Sequence, residues 1–287
     1  VFTDLYVQAE AMGAKIRYPN DETAYLETPA LTDIKQIDQL QPADPYRDGN
    51  LPRQLEALRI TLDTIGREVT VTSALTCPFT NAAFLIGAEE LTRLVGKNPE
   101  AVHRLCAISL ETNLNYAKAI IDAGGSPSLT DAMSSCTIIS PKQFKEFSFP
   151  YLQKLIAYIH SRDKLVTLHI CGKTTKILNQ MVEAGADCIS IDNAVNLQDA
   201  KQQVGQQVRL MGNVKPAEIM LQSTPQEVRH AVIECVKQAY DSPKGYIVAS
   251  GCSLPTETPF ANIDAMLNTV REIGYPVDAA KLEALHS

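Results

Sequence analysis

Lys164-Leu165-Val166-Thr167-Leu168-His169-Ile170-Cys171, then residues 174–184, then Gly185-Ala186-Asp187-Cys188-Ile189-Ser190-Ile191-Asp192 form the stretch that decides the fold. The first run is apolar, of strand length, and closes on polar residues. The middle is amphipathic at helical spacing, and Gly185 stands where that helix should stop. The last run is again an extended apolar segment with a polar end. Strand, helix, strand with a helix of this length implies two parallel strands joined by a crossover.

The same rhythm continues outward. Residues 69–77 and 126–131 read as strands before this unit, and residues 208–214 and 246–252 as strands after it. Amphipathic stretches at 101–123, 143–162 and 225–240 lie between them. Asn98-Pro99-Glu100, Ser140-Pro141 and Thr224-Pro225 each place a cap before a proline in the first turn. Gly124-Gly125 marks another helix end. The 287 residues suit a single α/β barrel domain, with six βα units over 69–287. Residues 1–68 read as an excursion on its edge, with a short hairpin at 15–17 and 24–26 and a proline-rich connection at Pro42 and Pro45. Six strands are two short of a (β/α)8 barrel. Either the sheet is open, or two strands precede Val1; a chain that does not start on methionine favours the second expectation.

The net charge of −7 and the lack of a lysine- or arginine-rich block argue against nucleic acid or an anionic membrane surface as partner. No apolar run reaches the roughly 20 residues of a membrane span. Seven scattered cysteines, an odd number, fit a reducing, cytoplasmic location better than a disulfide framework.

The strand ends carry the chemistry: Cys77, Asp131, His169 and Cys171, Asp192, Asn213, and Cys252. In a barrel these ends form the mouth of the active site. His169-Ile170-Cys171 with a distant Cys252 is a zinc-ligand pattern. Alternate residues at a strand end face the same way, so His169 and Cys171 can converge. Three ligands leave one tetrahedral position open, which marks catalytic rather than structural zinc. Two thiolates and an imidazole cancel the metal's charge, which suits a bound sulfur nucleophile better than hydrolysis. Asp192 and Asn213 are candidate catalytic residues; each also fits as a cap of the turn that follows it. Cys77 and Asp131 are candidates for substrate contact at the mouth, with core packing the favoured reading of Cys77. Lys173 and Lys215, just past strand ends, are candidates for an anionic substrate tail. Cys106, Cys188 and Cys235 read as core, and His103, His160, His230 and His286 as solvated surface.

These residues carry a resemblance. His169-Ile170-Cys171-Gly172-Lys173-Thr174-Thr175, Gly185-Ala186-Asp187, Met211-Gly212-Asn213-Val214, and Gly251-Cys252 with Pro255 and Thr258-Pro259 resemble the uroporphyrinogen decarboxylase superfamily. Cys77-Pro78-Phe79-Thr80 and Pro150-Tyr151-Leu152 add to the match. Within that superfamily the chain is most similar to the zinc-dependent methylcobamide:coenzyme M methyltransferases. The resemblance implies a (β/α)8 TIM-type barrel whose first two strands lie upstream of Val1. It implies His169, Cys171 and Cys252 as zinc ligands. It also implies methyl transfer from a methylated corrinoid, carried on a corrinoid protein, to a zinc-activated small thiol. Cys77 stands where the family usually has glycine. Lys173 and Lys215 replace residues more often neutral or acidic. A metal-free decarboxylase and a non-catalytic corrinoid-protein partner with structural zinc are the competing expectations.

Overall fold

The computed structural model describes residues 4–20 and 22–285. His286 therefore lies outside the described residues. By internal contacts the chain divides into two compact units, 1–170 with 183–187, and 171–182 with 188–287.

The first unit opens with a helix, Val7–Ala11, and an antiparallel hairpin of β1 (Lys15–Arg17) and β2 (Tyr25–Thr28). The hairpin sits where the sequence places it, with its second strand one residue later and two residues longer at its end. A helix at Leu51–Ile65 leads into β3 (Thr72–Thr76), followed by helices Pro78–Ile86, Ala88–Lys97 and Pro99–Asp122. β4 (Ser126–Thr130) and β5 (Thr167–His169) complete this unit's parallel strands. Leu75 pairs with Leu129, and Leu129 with Leu168. All three are fully buried and form one layer of the core. The same register sets Thr76, Thr130 and His169 level with one another.

The second unit holds β6 (Cys188–Ser190), β7 (Arg209–Val214) and β8 (Tyr246–Ser250), parallel and adjacent in chain order. Ile189 pairs with Leu210, both fully buried. Helices Leu197–Val204, Pro225–Ala239 and Phe260–Ile273 alternate with these strands. All six strands expected from the sequence are present.

The proline-led helices start as their caps dictate. Asn98 accepts from the Ala101 amide at 3.2 Å, while Ser140 and Thr224 form reciprocal capping boxes with Gln143 and Glu227. The strands are shorter than the apolar runs suggest. β3 begins at Thr72 rather than residue 69, and β5 spans three residues rather than eight. Val69 and Leu165 are exposed, so neither apolar side chain lengthens a buried strand. The helix expected over 143–162 is broken by a π-helical turn, Phe144–Ser148, between α-helical Pro141–Gln143 and Phe149–His160.

Candidate metal centre

His169 is the last residue of β5, and its carbonyl accepts from the Asp131 amide at 2.9 Å. Two residues on, Cys171 enters a turn that Gly172 makes possible with φ of 70°, a left-handed conformation favouring glycine. Asp192 fastens that turn. Its Oδ2 accepts from the Gly172 amide at 2.8 Å, and its Oδ1 from the Ala194 amide at 2.8 Å. Asn213 in turn donates from Nδ2 to the carbonyls of Asp192 (3.1 Å) and Val195 (2.8 Å).

Cys252 is delivered by Gly251, whose amide donates to the Val214 carbonyl at 2.8 Å. A Cβ on Gly251 would meet the Asn193 nitrogen at 2.6 Å, so only glycine brings the chain this close. Ser250 Oγ then donates to the Cys252 carbonyl at 2.7 Å, turning the chain back on itself.

The result is a cluster. One ligand atom each from His169, Cys171 and Cys252 lie within 4.8 Å of one another, all three residues half-buried. The two sulfurs are 4.0 Å apart. Two thiolates bound to tetrahedral zinc at about 2.3 Å would lie roughly 3.8 Å apart. The spacing of the sulfurs and the soft donor set both fit that ion. Among the described residues no fourth such side chain joins the group.

The other expected site residues sort differently. Asp192 caps the turn that follows it, the alternative the sequence left open, while Asn213 braces the preceding 192–195 loop rather than the turn after it. Asp131 and Cys77 are fully buried, Cys77 in the core packing that the sequence favours and Asp131 away from the solvent-facing position expected of a substrate contact. Asp131 Oδ1 accepts from the Thr80 hydroxyl (2.6 Å) and amide (3.2 Å). Its Oδ2 accepts from Ser134 (2.6 Å) and Ser148 (2.8 Å). Burial pushes this carboxyl up, while the Ser134, Thr80 and Ser148 hydroxyls and the Thr80 amide pull the other way. Burial, with the nearby Asp131 carboxylate, holds the Cys77 thiol well above its usual range. Lys173 is exposed, and Lys215 forms a 2.5 Å ion pair with Glu218.

Cys106, Cys188 and Cys235 are core as expected. His160 and His230 are exposed, but His103 is half-buried: its Nδ1 lies 2.9 Å from the Tyr151 hydroxyl, against the Phe147 ring. The hydroxyl cage of Thr80, Ser134 and Ser148 was not foreseen. Its one trace in the sequence is a set of hydroxyls inside otherwise apolar runs.

The profile of the uroporphyrinogen decarboxylase (URO-D) family matches residues 1–273. This chain belongs to that family. A methylcobamide:CoM methyltransferase of Methanosarcina barkeri is 27% identical over 267 residues, covering 92% of this chain and 76% of its own. A uroporphyrinogen decarboxylase of Nostoc punctiforme is 26% identical over 284 residues, 96% of this chain and 78% of its own. Among solved structures, a methyltransferase from Methanosarcina mazei superposes with a TM-score of 0.85 at 25% identity, over 94% of this chain and 79% of its own. The URO-D chain described here thus has an α/β fold of the TIM-barrel class, as expected. No helix among its described residues is long and apolar enough to cross a membrane.

Proposed function

We propose that this protein is a zinc-dependent methyltransferase. It moves a methyl group from a methyl-Co(III) corrinoid, carried on a partner protein, to the sulfur of a small thiol such as coenzyme M. The observation that carries this reading is the half-buried trio of His169, Cys171 and Cys252. A metal-free decarboxylase gives these three side chains no task. The methyltransferase names of the relatives from Methanosarcina support the donor and the acceptor.

His169, Cys171 and Cys252 would hold the metal, and Asp192 and Asn213 keep the Cys171 turn in place for it. Zinc there would supply an electrophilic centre that lowers the pKa of an acceptor thiol. Two cysteine thiolates leave the site electron-rich, so that sulfur keeps its nucleophilicity. In the transfer the carbon–cobalt bond breaks, its electron pair stays on cobalt as Co(I), and a carbon–sulfur bond forms. Lys173 and Lys215 offer ammonium groups for the anionic tail of the thiol, Lys215 by releasing Glu218. A structural zinc would call for a fourth protein ligand, and among the described residues no fourth His, Cys, Asp or Glu joins the trio.

The test is methyl transfer from methylcobalamin to coenzyme M and a panel of thiols, with zinc measured alongside. Transfer that tracks zinc content is expected. Zinc-independent decarboxylation of uroporphyrinogen, with no methyl transfer, would overturn the reading in favour of the decarboxylase branch.

A further inference from the structure

Asp131 is a carboxylate sealed in the interior, and its partners are hydroxyls and an amide rather than a basic side chain. Enclosing a carboxylate among neutral groups is a poor way to stabilise a fold, because desolvation outweighs what neutral donors return. An apolar side chain of similar size would serve stability as well or better. The carboxylate therefore calls for another reason, and its connections supply one.

The four donors come from three separate segments. Thr80 lies near the start of helix Pro78–Ile86, Ser134 in the 3-10 turn Ala132–Ser134, and Ser148 at the end of the π-helical turn. The Thr80 hydroxyl is itself held, accepting from the Met133 amide at 2.9 Å. Both carboxylate oxygens are thus fixed by elements that converge on the end of β4. From that same residue the backbone amide donates to the carbonyl of His169 at 2.9 Å. That is the next ladder bond beyond the Thr130–His169 pairing, and it grips the residue whose imidazole belongs to the metal trio.

We propose that Asp131 is a positioning residue for His169. Its hydroxyl-clamped carboxylate pins the end of β4, and the pinned amide fixes the His169 carbonyl, and with it the direction in which the imidazole leaves the strand. This assignment rests on the reading that His169, Cys171 and Cys252 bind zinc. The Asp131 carboxylate is bonded by Thr80, Ser134 and Ser148, so its role toward the metal trio is one of aim.

The test compares wild type with Asp131→Asn and Ser148→Ala as cobalt(II)- and zinc-loaded proteins, well below their melting temperatures. Cobalt(II) d–d bands read ligand geometry, and competition with a chelator reads zinc affinity. Asp131→Asn should shift the d–d bands and weaken zinc binding about tenfold or more, as loss of an outer-shell partner does. Ser148→Ala removes one donor of four and should give a smaller shift of the same kind. It also carries the test if Asp131→Asn does not fold. Folded variants with wild-type spectra and wild-type zinc affinity overturn this assignment alone. A wild-type protein that takes up no metal overturns the functional reading and this assignment together.

Discussion

The ends of β4 and β5 lie side by side in register and hold opposite kinds of polar residue. At the end of β4, Asp131 has every lone pair it can use already answered from within the protein. At the end of β5, His169 and the Cys171 that follows stand half-buried beside Cys252, three donors with room among them for an ion. Both ends are polar, and the sequence marks His169 and Cys171 as metal ligands and Asp131 as a candidate for substrate contact. The difference lies in burial and in the donor set: a fully buried carboxylate against three half-buried soft ligands that converge. A carboxylate ringed by hydroxyls and an amide holds shape, while a convergent set of imidazole and thiol groups can hold a metal.

The largest effect that separates these two ends is expected from Cys252→Ala. Zinc content should fall from about one per chain toward zero and methyl transfer with it, while the melting temperature stays near that of wild type. An unfolded variant would make the metal structural and erase the contrast.

Alkylation sharpens the contrast next. In metal-free protein, iodoacetamide should label Cys171 and Cys252, and zinc should protect both. Cys77 and Cys106 should stay unlabelled with or without metal, since burial holds their thiols well above the usual range. Peptide mass spectrometry showing Cys77 modified as fast as Cys252 would mean that the β4 side is open after all.

Thr80→Val attacks the sealed end. It takes one hydroxyl from Asp131 and leaves the Met133 amide unanswered, a cost of about 1–3 kcal/mol. Chemical denaturation should show that loss; no measurable change would mean the cage is not under tension to stay closed.

The smallest effect belongs to Lys215→Met. An exposed ammonium contributes about 0.2–1 kcal/mol, so KM for an anionic thiol should rise by no more than about fivefold. KM for a neutral thiol should hold. Equal changes for both thiols would return Lys215 to its ion pair with Glu218 as its whole role.

Much of this architecture could be read from residue order. The strand rhythm is legible because each parallel strand here needs a short apolar run, and Leu75, Leu129 and Leu168 show that requirement as one buried layer. The helix starts are legible because Ser140, Thr224 and Asn98 act on their own next few amides. The trio is legible because His-x-Cys at a strand end converges by local geometry, and only Cys252 has to arrive from afar. The fate of Asp131 was not legible. Its sealing depends on Thr80, 51 residues earlier, and Ser148, 17 residues later, neither of which advertises a carboxylate partner. The roles of Asp192 and Asn213 were open for a similar reason: a short polar side chain at a strand end serves a backbone amide or carbonyl and a substrate equally well until the neighbouring loop is placed.

The π-helical turn Phe144–Ser148 has a consequence for how genes of this kind tolerate change. A π turn accommodates one residue more than the same length of α-helix requires. Lys145 and Glu146 are exposed within it. An in-frame loss of one of those codons would let the segment relax to ordinary α-helical winding, with its apolar residues still able to find the interior. The helix on either side would keep nearly its present phase, while the residues inside the turn, Ser148 among them, would be rewound to α spacing, and the Ser148 hydroxyl would lose its aim at Asp131. A three-base deletion at this spot is therefore a lesion that spares the helix and releases the clamp, and natural variants of that length are the place to look for a folded chain with a slack metal centre.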